Sequence, residues 1–241
     1  MKKYFSIVLI LIISSLLFGC GAQTSQPEGA QTQPSSKAVS KKVSKPKAYK
    51  GIDVSSFNGE IDWKAVKKDG RDFAMIRLGG RGFGADGQLY KDRLALRNLT
   101  LAKKHGLKTG AYFFSQALTK QEAAEEAAFA LSVLGDIELD LPLAYDLETL
   151  EDTETRVENI SESAALANAK VFCEKIERKG LKSAVYIEKD GILKASDFRQ
   201  NQIWYSDFGS SKRTDCLILQ YSKEGRVRGV DGKVDLDVMY K

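Results

Sequence analysis

Five carboxylates lie in or at the ends of three short apolar runs, where acids are costly without a task. Asp146 and Glu148 close Leu143-Ala144-Tyr145-Asp146-Leu147-Glu148. Asp53 lies in Gly51-Ile52-Asp53-Val54, and Asp235 and Asp237 lie in Val234-Asp235-Leu236-Asp237-Val238. A carboxylate in an apolar strand must be paired, hydrogen-bonded or functional. Asp146 and Glu148 are an i, i+2 pair, which a strand points to one face about 6.5 Å apart. Two carboxyls that near raise each other's pKa, so one can stay protonated while the other is ionised. Asp has the lower intrinsic pKa and the shorter stem, so Asp146 is expected to hold the charge and Glu148 the proton. A proton donor beside an anion is what glycoside hydrolysis requires. The structural alternative is a set of acids bonded to backbone amides or Arg. Aromatic residues lie in one of these runs and in other short apolar runs: Tyr112, Phe114, Tyr145, Tyr186, Trp204, Tyr205 and Tyr221. They suit either sugar stacking or the core.

Other chemistries have less support. The chain has one His, His105, so a multi-His metal site cannot be built and a Ser-His or Cys-His device has one candidate. His105 follows Lys103 and Lys104 and fits a helix C-terminus better than catalysis. No metal or cofactor is expected; Asp231-Gly232-Lys233 with Asp235 and Asp237 lacks the spacing and terminal Glu of an EF-hand. No glycine-rich phosphate loop joins a strand to a helix. Gly79-Gly80-Arg81-Gly82-Phe83-Gly84 reads as a flexible loop. The net charge of +5 is misleading. Eight Lys against one acid in residues 1–50 leave residues 51–241 with 29 basic and 31 acidic side chains, which is no nucleic-acid footprint.

The elements that must position these acids follow one grammar. Basic residues close a helix, a Gly stops it, and a short apolar strand follows, as at Gly70, Gly106 and Gly180. Thr119-x-x-Glu122 is a capping box that opens a helix to about residue 134. Ala165, Ala169, Phe172, Cys173 and Ile176 form a stripe at helical spacing over 161–179. Strands are expected at 51–54, 73–77, 111–114, 143–147, 184–187, 202–205, 217–221 and 234–239. Alternating strands and helices imply parallel strands covered by helices. The expected fold is therefore α/β: an irregular, TIM-like (β/α) barrel of about eight strands, in one domain over 51–241. An open doubly wound sheet is the alternative. In a barrel, the acids of the first, middle and last strands can meet at one mouth. Cys173 and Cys216 can pair or remain buried thiols.

Residues 1–19 read as a signal peptide. Lys2 and Lys3 precede an apolar run from Phe5 to Phe18, which is short for a membrane span. Leu17-Phe18-Gly19-Cys20 resembles the lipobox of bacterial lipoproteins, which makes Cys20 the expected lipidation site. Residues 20–50, rich in Lys, Pro, Ser and Gln, read as a disordered tether. An extracytoplasmic lipoprotein, membrane-anchored through Cys20 and facing the cell wall, is the resulting expectation.

Taken together, the motifs resemble the glycoside hydrolase family 25 lysozymes. They are Gly51-Ile52-Asp53-Val54-Ser55, Gly59-x-Ile61-Asp62-Trp63-x-x-Val66 and Phe73-Ala74-x-Ile76-Arg77. Asp92, Asn98 and Ala102-x-x-x-Gly106-Leu107-x-x-Gly110-x-Tyr112 follow, then Pro142-x-x-x-Asp146-x-Glu148. The last are Gln220-Tyr221-Ser222, Gly225-x-Val227-x-Gly229 and Val234-Asp235-Leu236. The resemblance implies cleavage of peptidoglycan between N-acetylmuramic acid and N-acetylglucosamine, without metal. It makes Glu148 the proton donor, Asp146 the acid that positions the reacting acetamido group or stabilises the intermediate, and Asp53 and Asp235 supporting acids. Tyr112, Phe114, Tyr186, Trp204 and Gln220 are the expected glycan-binding residues, in a monomer with no nucleic-acid partner. Asp237 stands where the family often has Asn, Phe57 where Trp is common, and Leu219-Gln220-Tyr221 where W-Q-Y is frequent. The rival reading is a glycan-binding lipoprotein that has kept the barrel without turnover.

Overall fold

The computed structural model describes residues 47–150, 152–210 and 212–240. The expected signal peptide, Cys20 and most of the tether lie outside these residues.

This region holds nine strands and four α-helices, and the two alternate through its first two-thirds. They are β1 (Ala48–Val54), α1 (Trp63–Lys68), β2 (Phe73–Arg81), β3 (Leu89–Lys91), α2 (Ala95–Lys104), β4 (Lys108–Ser115), α3 (Lys120–Leu134), β5 (Leu143–Leu147), α4 (Glu162–Glu177), β6 (Ser183–Glu188), β7 (Ile203–Ser206), β8 (Ile218–Gly225) and β9 (Val234–Tyr240). The order β1-β9-β8-β7-β6-β5-β4-β2, closed by pairing of β1 with β2, makes an eight-stranded barrel, and β3 hairpins onto β2.

The barrel is mixed rather than all-parallel. β1, β2, β4, β5, β6, β7 and β8 pair in parallel, but β9 runs antiparallel to both β8 and β1. No α-helix separates β8 from β9, so that short connection permits an antiparallel return.

Helix termini follow their local chemistry. Thr119 accepts the Glu122 N–H and Ser161 accepts the Ala164 N–H, which caps α3 and α4. Gly70, Gly106 and Gly180 all have positive φ just past helix ends. His105 is the C-cap of α2.

Strand alternation splits the core into two layers. Phe73, Met75, Tyr112, Ala144, Ala184, Tyr186, Trp204, Ile218 and Met239 pack together inside the barrel. Their sequence neighbours, such as Ile76, Phe113, Tyr145, Val185 and Leu219, pack outward with Phe172 and the other helix residues. This parity corrects the aromatic set. Tyr145 packs on Phe172 at 5.3 Å between centroids, and Tyr205 lies under Arg213, so both face away from the barrel interior. Tyr221 packs on the outer layer as well.

The glycine-rich run is also corrected. Gly79, Gly80 and Arg81 extend β2, after a register shift between Arg77 and Gly79. A Cβ on Gly79 would lie 2.1 Å from the Tyr90 carbonyl oxygen, so the close β2–β3 hairpin demands glycine there. Cys173 and Cys216 are separate buried thiols.

Candidate active site

Parallel strands deliver their C-terminal ends to one mouth of the barrel, and antiparallel β9 delivers its N-terminal half there. Asp53 of β1 is directly paired with Asp235 of β9, 182 positions away in sequence order. A cavity of about 410 Å³ opens at this mouth. Its walls include Asp53, Asp146, Glu148 and Asp235 together with Tyr112, Phe114, Tyr186, Trp204 and Gln220. All nine candidate acids and glycan-binding residues thus converge, while Cys20 lies outside the described residues. A neighbouring cavity of about 520 Å³ shares Glu148 and runs over the ends of β5, β6 and β7. Glu148 therefore stands where two openings meet.

Asp146 and Glu148 are closer than strand spacing predicts. β5 ends at Leu147, so Glu148 is free of the pleat and turns toward its neighbour. The two carboxyl groups are joined by a hydrogen bond. Carboxyls in contact must share a proton. Burial, followed by the charge of Glu148, holds Asp146 well above the usual carboxylate range. Burial also pushes Glu148 up to about 7, with Glu188 and Asp235 adding to the effect and the Asp146 hydrogen bond and Lys223 opposing it. Both carboxyls of the pair are thus raised together. Asp146 is only 2% exposed, so burial weighs heavily on its ionised form. The proton belongs to the pair.

Several residues that organise this site carry no motif in the sequence. The Gln116 side-chain amide donates to the Glu148 carbonyl oxygen at 3.0 Å, and its oxygen accepts the Arg156 N–H at 3.0 Å. Arg156 also binds the Gln116 carbonyl oxygen and the Glu122 carboxylate. The Gln116 backbone N–H in turn reaches Glu126, which pairs with Arg81 at 2.9 Å and accepts the Ser115 hydroxyl at 2.6 Å. This network holds the backbone that carries Glu148. On the opposite wall, Arg77 binds Asp92 and lies over the Phe57 ring, 4.7 Å from its centroid. Phe57 is 87% exposed at the groove rim. Phe83 packs edge-on against Phe114, so the rim offers apolar faces without a Trp.

The buried acids set the pH dependence of stability. Burial raises Glu126, Glu148 and Asp237 each to about 7. The folded chain therefore keeps protons that the unfolded chain releases near its ordinary carboxyl pKa values of about 4. Stability should fall as pH rises from about 4 through 7. The lowered pKa of Glu122 acts below that window. Urea midpoints measured through and above this range check the sign, and a midpoint that rises with pH would contradict it.

A closed barrel that gathers paired carboxyls and aromatic rings in one groove has the parts that carboxylate-based glycoside hydrolysis requires. The model of Glycosyl hydrolases family 25 matches residues 52–230, and the chain belongs to that family. It is 30% identical to the autolytic lysozyme of Clostridium acetobutylicum over 196 residues, which is 78% of this chain and 55% of that protein. The chain thus spans about half the length of that relative. The fold matches a family 25 glycosyl hydrolase from Bacillus anthracis with a TM-score of 0.66 at 23% identity, over 80% of this chain and 89% of that one. It also matches the modular autolysin LytC of Streptococcus pneumoniae, solved with a synthetic peptidoglycan ligand, with a TM-score of 0.67 at 21% identity over 80% and 47% of the two chains.

Proposed function

We propose that this chain is an N-acetylmuramidase that hydrolyses the glycosidic bond between N-acetylmuramic acid and N-acetylglucosamine in peptidoglycan. The observation that carries this reading is the Asp146–Glu148 carboxyl pair, placed where two openings of one groove meet. Sugars on either side of Glu148 would bring the bridging oxygen to it. Glu148 is the general acid. Once a glycan displaces the contact between the carboxyls, the pair's proton is held on Glu148 and passes to the leaving oxygen. Asp146 is left as the anion beside the reacting sugar.

Because Asp146 touches Glu148, it cannot also stand across the scissile bond at the 5–10 Å that a nucleophile or a water-activating base requires. It is therefore assigned to orienting the substrate's acetamido group, which attacks the anomeric carbon and gives net retention. Asp53 and Asp235 support the floor. Tyr112, Phe114, Tyr186, Trp204 and Gln220, with Phe57 at the rim, hold the sugars. The exposed and half-exposed rings of Phe57, Phe83 and Tyr90 suit sugar faces better than a closed core does.

The enzyme acts as a monomer outside the cytoplasm, held to the membrane by lipid on Cys20. Metabolic labelling with a fatty-acid probe should mark the wild-type protein and not Cys20→Ala; an unlabelled wild type would remove the anchor. Incubation with purified peptidoglycan should release muropeptides ending in reducing N-acetylmuramic acid, with undiminished yield in excess EDTA. Glycan binding without new reducing ends would favour the non-catalytic reading, and dependence on a divalent ion would overturn the site assignment.

A further inference from the structure

Asp237 lies behind the groove floor, wholly enclosed, opposite Gly51 of β1 and Gln220 of β8. One carboxyl oxygen, Oδ1, accepts the Trp204 indole N–H at 2.9 Å, and the other meets no amide, hydroxyl or cationic donor. Asp53, on the adjacent strand, accepts the Gln220 amide at 2.8 Å, and Gln220 accepts the Tyr186 hydroxyl at 2.8 Å. The Asp53 and Asp237 carboxyls are in hydrogen-bond contact with each other. Each acid thus uses one oxygen on a fixed neutral donor, and the contact between them requires one shared proton.

We propose that Asp237 is a positioning residue that acts through Asp53: the two form a second proton-sharing pair, in which Asp237 carries the charge away from the groove and Asp53 presents an uncharged carboxyl to the glycan. This rests on reading the groove as the glycan site. Accepting from both Trp204 and Asp53 stabilises the anion on Asp237, whereas Asp53 adjoins Asp235 and would add like charge to the groove if ionised. Burial, with Asp237 and Asp235 next, raises Asp53 well above its ordinary range.

The other charged or titratable groups around the pair are Asp235 on β9, Arg77 from β2, Tyr112 from β4, Asp146 and Glu148 at the end of β5, Tyr186 from β6 and Lys223 from β8. All remain in an Asp237→Asn variant. The Asn would still accept the Trp204 indole through its oxygen, but it would donate N–H to Asp53 and so hold Asp53 ionised with no proton to share.

The chain's two indoles make the test internal. Trp204 binds Asp237, whereas Trp63 binds the uncharged Asn98. In ¹H–¹⁵N spectra of the full chain, the Trp204 indole resonance should titrate with a midpoint near 7 while Trp63 stays fixed. In Asp237→Asn that midpoint should vanish, with an unchanged Trp63 resonance reporting an intact fold. KM for peptidoglycan should stay level through the same pH range in the wild type, because Asp237 takes the charge while Asp53 keeps its proton. In the variant it should be about threefold to tenfold higher, the size expected for one altered hydrogen bond. A Trp204 resonance that does not titrate in the wild type, or an unchanged midpoint in the variant, overturns the pair. Failure of the glycan-site reading would show separately, as cleavage that survives loss of Glu148.

Discussion

Glu148→Gln is expected to lower the rate of peptidoglycan cleavage by about 10²- to 10⁴-fold, the usual contribution of a positioned general acid. Gln keeps the length and planarity of the side chain but has no acidic proton to give the leaving oxygen. The fold should be indifferent to the change. The hydrogen bond from Gln116 is to the Glu148 backbone carbonyl, not to its side chain, and the carboxyl itself is held with a raised pKa in the folded state. Above pH 7, removing a group whose ionisation opposes folding should leave the urea midpoint unchanged or slightly raised. Initial rates of reducing-end release, measured beside urea midpoints, separate chemistry from stability. A variant within about threefold of wild-type rate would defeat Glu148 as the acid.

Asp146→Asn should have the second largest effect, and its signature is in the pH profile. The acidic limb of the wild-type profile reports the first ionisation of the Asp146–Glu148 pair, and the basic limb reports loss of its last proton. The substitution removes a neighbouring charge that raises the pair's pKa and puts an N–H donor beside Glu148. Both changes favour ionised Glu148, so the basic limb should move to lower pH than in the wild type. The rate should drop by about 10²- to 10³-fold, as for loss of one electrostatic group aimed at the reacting centre. Profiles of kcat/KM against pH test this directly. An unshifted basic limb would show that the two acids are uncoupled. An NMR assay of the first-formed anomer bears on the same assignment, because inversion would rule out attack by the acetamido group.

The residue order carries the local physics of this protein. Gly70, Gly106 and Gly180 mark the helix ends because a left-handed residue is needed there whatever packs around it. Thr119 and Ser161 cap α3 and α4 through contacts only three residues long. Period-two alternation places Asp146 and Trp204 inside the barrel, and the same parity puts their neighbours Tyr145 and Tyr205 outside. The motifs within residues 52–230 mark the family. Tertiary structure decides the rest, because it depends on contacts far apart in the chain. β9 turns antiparallel and closes the barrel, which sets Asp235 beside Asp53 and Asp237 behind it; strand direction leaves no trace in a five-residue apolar pattern. Gln116, Arg156, Glu126 and Arg81 have no shared motif, yet folding assembles them into the scaffold of Glu148. Strand spacing predicts two parallel carboxylates about 6.5 Å apart, but the end of β5 at Leu147 frees Glu148 to meet Asp146. Burial then raises both carboxyls above their intrinsic pKa values, because desolvation depends on the enclosing walls and these come from the whole barrel.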